Sequence, residues 1–236
     1  MQRIATVILA FATWTAAQQA PVARPVLVEL FTSEGCSSCP PADALLAKLD
    51  RFQPVPGAEI IVLEEHVGYW NHDGWADPFS SPEFTRRQER YAEEFGTSGP
   101  YTPQMVVDGV SQLIGSDGRG ALAAVASAAR AEKLAVRVER SSGGVRVEVD
   151  PGGHGGAVYL ALVQNSASSH VLRGENQGRD LQHVAVVRRL SQIGSVKSHA
   201  GFTQDVPLSP SETELRVIAF VQEIGPGRVW GAAMSR

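Results

Sequence analysis

The chain has 236 residues, of which 43% are hydrophobic and 19% charged, with a net charge of −4. That length provides for one large or two modest globular domains, each with its own core. A slightly acidic balance with both signs intermixed points away from nucleic acid or an anionic membrane as the main partner.

The first residues read as a targeting segment. Arg3 supplies a short positive region, and Ile4–Trp14 is an apolar run too short to span a bilayer. Thr15-Ala16-Ala17 offers small residues for cleavage, so residues 1–17 are expected to be a signal peptide. Nothing later in the sequence is apolar enough to cross a membrane. The expectation is an exported protein, periplasmic or secreted, with no membrane association after cleavage.

Val26–Phe31 is apolar except for Glu29, the composition of a strand buried on both faces. Next come the chain's two cysteines, Cys36 and Cys39, as a C-x-x-C, and then a helical stretch over Ala42–Phe52. Pro40 and Pro41 suit that helix's first turn, where backbone N–H groups lack partners. Leu45, Leu46 and Leu49 give it an apolar stripe. Strand, C-x-x-C and helix in this order form the thioredoxin-type redox arrangement.

Glu59–Val67 reads as a second strand, followed by an aromatic and polar loop over Gly68–Ser80. Ser81 as N-cap and Pro82 in the first turn start a second helix. Gln104–Val107 and Val110–Ile114 flank Asp108-Gly109, a hairpin signal. Ser116 or Asp117 can cap an Ala-rich helix running to about Ala131. The resulting β-α-β-α-β-β-α order predicts an α/β thioredoxin-like domain over residues 24–132.

From Leu134 the texture changes to short alternating strands with Gly-rich turns. Leu134–Glu139, Val145–Val149, Ala157–Gln164, Gln182–Leu190, Leu215–Val221 and Val229–Ala233 predict a small antiparallel, sandwich-like β domain over residues 134–236. Gly174–Arg179 (GENQGR) lacks the strand–helix context of a phosphate loop. It reads as a connection, one that could face the cysteines.

Exported proteins commonly use disulfides as staples across long loops. A Cys36–Cys39 bond would close four residues, worth roughly 2 kcal/mol on the chain-entropy estimate. A short local pair suits redox chemistry better. At a helix start, the dipole and free N–H groups favour a Cys36 thiolate as nucleophile, with Cys39 resolving the mixed disulfide. Ser37 and Ser38 could donate hydrogen bonds to that thiolate. A zinc site would need two more ligands, and no second C-x-x-C or H-x3-5-H follows. His66, His72 and Asp73 surround the aromatic loop; Cys36, Cys39 and His66 or His72 would make a soft donor set for Cu(I). Trp70 and Trp75 read as local packing, or as part of a substrate lid. Glu34 reads as an exposed loop residue, and Thr102-Pro103 as the entry to a strand.

The segments VELFTSEGCSSCPPAD, WNHDGWADPFSSPEFTRRQ, YTPQMVVDG and GENQGRDLQHVAVVR together resemble the exported bacterial family called domain of unknown function 1223. That resemblance implies a thioredoxin-like fold and carries no activity. Similarity to true thioredoxins is weaker: Gly35 stands where an aromatic residue is usual, and Ser37-Ser38 replaces Gly-Pro. The wider resemblance implies that Thr102-Pro103 is a cis pair beside the cysteines, shaping a substrate-docking edge. It also implies a buried proton acceptor in the first strand, where this chain has Glu29. The expected function is thiol–disulfide exchange with protein thiols or disulfides, needing no cofactor beyond the Cys36–Cys39 pair. The alternatives are a Cu(I)-delivery module and a non-catalytic binding module.

Overall fold

Strand β1 (Arg24–Thr32) is buried from Val26 onward, which accounts for its nearly unbroken apolar sequence. In this computed structural model, which describes residues 23–72, 74–141 and 143–235, β1 pairs in parallel with β2 (Ala58–His66) and antiparallel with β3 (Gln104–Val107). The signal peptide expected over residues 1–17, and Asp73, lie outside the described residues.

Helix α1 (Pro40–Phe52) links β1 to β2, with both prolines in its first turn and Ala42, Leu46 and Leu49 buried. Helix α2 (Pro82–Glu94) begins at Ser81, whose hydroxyl accepts from the Glu83 N–H at 3.2 Å. Strand β4 (Ser111–Ile114) pairs back on β3. Asp108 and Gly109 make that turn with φ of 49° and 68°, values that Gly adopts freely and Asp tolerates. A Cβ at Gly109 would also collide with the Gly227 carbonyl. Helix α3 (Gly118–Ala128) is capped by Asp117, which accepts from the Gly120 N–H at 3.0 Å. The β-α-β-α-β-β-α order is therefore present.

The two-residue period of a strand gives this sheet two distinct faces. Thr32 reaches Asp43 of α1, while Phe31 meets Tyr91 of α2 edge-on, ring centroids 5.9 Å apart. By the same alternation and the β1–β2 register, Leu30, Glu64 and His66 face α1, whereas Glu29 and Glu65 face α2.

The strands after residue 134 depart from the expectation of a separate sandwich. These are β5 (Val136–Ser141), β6 (Gly144–Val149), β7 (Gly156–His170), β8 (Asp180–Val196), β9 (Phe202–Pro207), β10 (Arg216–Gln222) and β11 (Val229–Met234). Four of them extend the first sheet, in the order β11-β10-β7-β8-β2-β1-β3-β4. The join is a parallel contact of Glu64 with Val186, reinforced by the Val184 N–H donating to Glu64 Oε2 at 2.8 Å. Only β5, β6 and β9 form a separate antiparallel sheet. It packs on the far half of the large one through Leu134, Val145, Val147, Leu160 and Val217. The fold is thus one large mixed sheet with helices, plus a small antiparallel sheet. Alternation in a sequence shows which face of a strand is buried, not which edge it pairs with. The β2–β8 join links residues 120 apart.

Strands β7 and β8 also run further than their apolar cores. Beyond Val186 they continue as a two-stranded arm, pairing from Ser166–Val184 to His170–Asp180. The tip of this arm, residues 171–179, comes back against the chain between β1 and α1.

Candidate functional site

Cys36 and Cys39 form a disulfide, Cα–Cα 5.4 Å, placed between the end of β1 and the start of α1. Both cysteines are completely buried, although Ser37 and Ser38 between them are exposed. Cys39 is the N-cap of α1. Pro40 and Pro41 carry no N–H, and the Ala42 and Asp43 N–H groups bond the Cys39 carbonyl. The expected row of free N–H donors is therefore mostly occupied or missing. What remains to favour a Cys36 thiolate is the helix dipole and the Ser38 hydroxyl, 3.4 Å from Cys36 Sγ.

The arm tip covers the pair. Asn176, fully buried, donates from Nδ2 to the carbonyls of Glu34 (2.8 Å) and Cys36 (2.9 Å). Arg179 holds the Asn176 carbonyl oxygen at 3.0 Å. The Ser37 N–H donates to Glu175 at 3.0 Å; hydrogen bonding from the Ser37 side chain first, then from this N–H, holds the Glu175 carboxyl below its usual range. The GENQGR segment is thus a clamp on the cysteine loop as well as a connection.

Trp70 links the cysteine loop to Thr102-Pro103. A Cβ at Gly35 would lie 2.9 Å from Trp70 Cβ and 3.0 Å from its carbonyl oxygen, so Trp70 occupies the space into which a side chain before Cys36 would start. The indole reaches on toward Thr102. Its Nε1 donates to Thr102 Oγ1 at 2.7 Å. The Thr102–Pro103 bond is cis, and Pro103 is buried at the entry to β3. His72, exposed, stacks on Trp70 and its Nδ1 lies 2.9 Å from the Tyr69 carbonyl.

Glu29 is buried but lies on the opposite face of the sheet from α1. Arg87 Nε donates to it at 2.6 Å and the Tyr91 hydroxyl at 2.6 Å. Its place in this ion pair corrects the expectation that it lies beneath the thiols: Thr32 points at α1, and three residues back along a strand reverses the direction. Burial and the adjacent Glu29 charge push the neighbouring Glu65 carboxyl well above its usual range. Gln222 completes the cluster, bonding Arg87 at 3.0 Å and the Tyr91 hydroxyl at 2.8 Å.

A second buried polar cluster lies on the α1 face. Glu34 is fully buried, not exposed as its loop position suggests. Its carboxylate accepts from Trp75 Nε1 at 2.8 Å and from the Ser169 hydroxyl, and meets His183 Nε2 at 3.3 Å. The other His183 nitrogen lies 2.9 Å from Glu64. Burial alone would depress the His183 imidazolium, but its bonds to Glu34 and Glu64 outweigh that and raise its pKa to about 10. His66 Nδ1 lies 2.7 Å from Asp77, whose carboxylate also accepts from the Glu34 N–H. Asp43, on α1 one turn after Cys39, accepts from the Thr32 hydroxyl at 2.7 Å. Burial first, then the Glu64 charge, push its carboxyl up to about 7, against the pull of His183 and Thr32.

With the cysteines oxidised, Cys36, Cys39 and His66 or His72 form no single ligand cluster for Cu(I) among the described residues. The cysteines are bonded to each other, and His66 groups with Glu64 and His183 instead. Sequence reasoning missed Asn176, Glu64, Asp77 and His183. The even–odd pattern of E-E-H at positions 64–66 was the available signal: it puts Glu64 and His66 on one face of a buried strand.

Residues 27–222 match the model of the family described as protein of unknown function (DUF1223). The chain is also similar to a protein of Agrobacterium tumefaciens whose X-ray structure was determined as a structural genomics target. The two are 27% identical, the likeness covers 92% of this chain and 95% of that one, and the TM-score is 0.78. No curated protein matches.

Proposed function

Because the chain belongs to the DUF1223 family, whose description assigns no activity, we propose its function from the site: an exported, thioredoxin-like thiol–disulfide oxidoreductase. The observation that carries this reading is the Cys36–Cys39 disulfide at the junction of the interior strand β1 and the N-terminus of α1. The pair is local, closes almost no chain, and lies where the helix dipole favours a leaving thiolate.

In the oxidising direction a substrate thiolate attacks Cys36 Sγ. The Cys36–Cys39 bond breaks and Cys39 leaves as a thiolate, which takes up a proton. A second substrate thiolate then attacks the substrate sulfur of the mixed disulfide, and Cys36 leaves. The substrate loses two electrons and two protons, and the pair gains them. Reduction runs backward, with Cys36 attacking a substrate disulfide and Cys39 resolving. Asp43, its carboxyl pushed up to about 7 and its N–H bonded to the Cys39 carbonyl one turn earlier, is the carboxyl suited to exchange that proton, in the role expected of Glu29. Trp70, Thr102 and Pro103 form the rim against which an extended substrate docks. Access to the buried sulfurs requires the arm tip to move.

The test is turnover of a model dithiol peptide to its disulfide, supplied with oxidised glutathione. Wild-type protein is expected to accelerate it, and Cys36→Ser to abolish the acceleration. Equal rates for wild type and Cys36→Ser would favour a binding module in which the fold only supports the aromatic loop.

A further inference from the structure

We propose that Glu64, His66 and His183 form a buried binding site for a divalent transition metal of the zinc class, separate from the cysteines. Three ligand atoms converge. Glu64 Oε1 lies 3.8 Å from His66 Nε2 and 2.9 Å from His183 Nδ1. One ligand atom from each of the three residues falls within a 4.8 Å group. Tetrahedral zinc with bonds of about 2.0–2.1 Å places its ligand atoms about 3.3 Å apart. The 3.8 and 2.9 Å separations lie on either side of that value.

His66 Nε2 gives the independent sign of a missing partner. It is buried, has no hydrogen-bond partner among the described residues, and faces Glu64. An imidazole nitrogen left bare in the interior is costly unless something occupies its lone pair.

The outer contacts match those of metal-binding histidines, which hand their second nitrogen to a carboxylate that fixes tautomer and ring orientation. Both histidines do this here. His66 Nδ1 meets Asp77 at 2.7 Å, leaving Nε2 as the ligand atom. His183 Nε2 meets Glu34 at 3.3 Å, and its Nδ1, which now shares a proton with Glu64 Oε1 at 2.9 Å, would give up that proton to the ion. Trp75, Asn71 and the Glu34 and Phe79 N–H groups hold these two carboxylates and their loop in turn. The edge of Phe79 closes the site, 5.3 Å from His66 and 5.6 Å from His183 between centroids. Charge favours a cation as well: Glu34, Glu64 and Asp77 surround two imidazoles.

The site bridges the place where the sheet is joined. Glu64 and His66 are on β2, while His183 is on the arm of β8. A bound ion would fasten the arm to the central sheet directly behind the cysteine loop.

The experiment loads the chelator-treated mature protein with Zn2+ and measures stoichiometry by titration. Co2+ then serves as a spectroscopic stand-in. The expected result is one equivalent of Zn2+, retained in a Cys36→Ser/Cys39→Ser variant. Binding should be lost in His66→Ala, and weakened about 10- to 100-fold in Asp77→Asn. The Co2+ complex of wild type should show low-coordinate ligand-field bands without thiolate charge transfer. That measurement stands even where a variant fails to fold. The absence of stoichiometric binding to wild type would overturn the proposal. So would a thiolate band, or binding that survives His66→Ala but not the cysteine replacement.

Discussion

Asn176 donates its side-chain amide to the Cys36 carbonyl at 2.9 Å across 140 residues of sequence, from the tip of an arm that otherwise has little cover. The same amide holds the Glu34 carbonyl. This buried side chain, together with Glu175 on the Ser37 N–H, ties the arm tip to the loop of a disulfide that has no exposed surface of its own.

Asn176→Ala removes the side-chain donor to the Glu34 carbonyl, at about 1–3 kcal/mol, and leaves the Cys36 carbonyl with the Cys39 N–H at 3.2 Å. That cost favours local opening of the arm tip without unfolding the sheet. Reduction of Cys36–Cys39 by dithiothreitol, followed by alkylation and mass spectrometry, should be about tenfold or more faster than in wild type. An unchanged rate would mean that the tip does not control access.

The Glu29–Arg87 pair makes a different prediction from the proton-acceptor role that the resemblance implied for Glu29. Arg87→Met strands Glu29 in the interior and should cost about 3–5 kcal/mol in urea unfolding. Glu29→Gln should lower stability yet leave the rate of disulfide exchange within about twofold. A large loss of exchange rate in a folded Glu29→Gln protein would return Glu29 to the proton pathway.

Asp43 predicts a pH dependence of stability. Its carboxyl rises from 3.8 to about 7 in the folded chain, facing Glu64, His183, His66 and the Thr32 hydroxyl. Folding therefore favours the protonated form. The contribution is fully present below pH about 4, is lost as pH rises to about 7, and is constant above that. Asp43→Asn keeps the acceptor for Thr32 and cannot ionise. In chelator-treated protein, its unfolding free energy in urea relative to wild type should climb between pH 4 and 8, by an amount on the order of a few kcal/mol. Parallel profiles would place the Asp43 carboxyl near its ordinary value.

Much of the first half was legible in the sequence because its signals are local. Ser81, Asp117 and Asp108-Gly109 each act within three residues, and each does what its type dictates. The cysteine pair was legible for the same reason. The β2–β8 join was not, since nothing in Val184–Leu190 names Glu64 as its partner. Burial of Glu34 was hidden likewise, because Trp75, Ser169 and His183 reach it from three separate segments. Glu29 shows the opposite case. Its burial was readable, but its face depended on strand phase, which Thr32 and Asp43 reveal only in three dimensions.

The most direct test of the exchange mechanism is trapping on a single cysteine. Reduced Cys39→Ser and Cys36→Ser proteins are each presented with a model peptide disulfide, and the adducts are mapped by mass spectrometry. The mechanism predicts a persistent mixed disulfide on Cys36 in Cys39→Ser, formed faster than on a free thiol of ordinary pKa, and little on Cys39 in the reciprocal variant. A Cys36 that reacts no faster than an ordinary thiol, or a preference for Cys39, would contradict it.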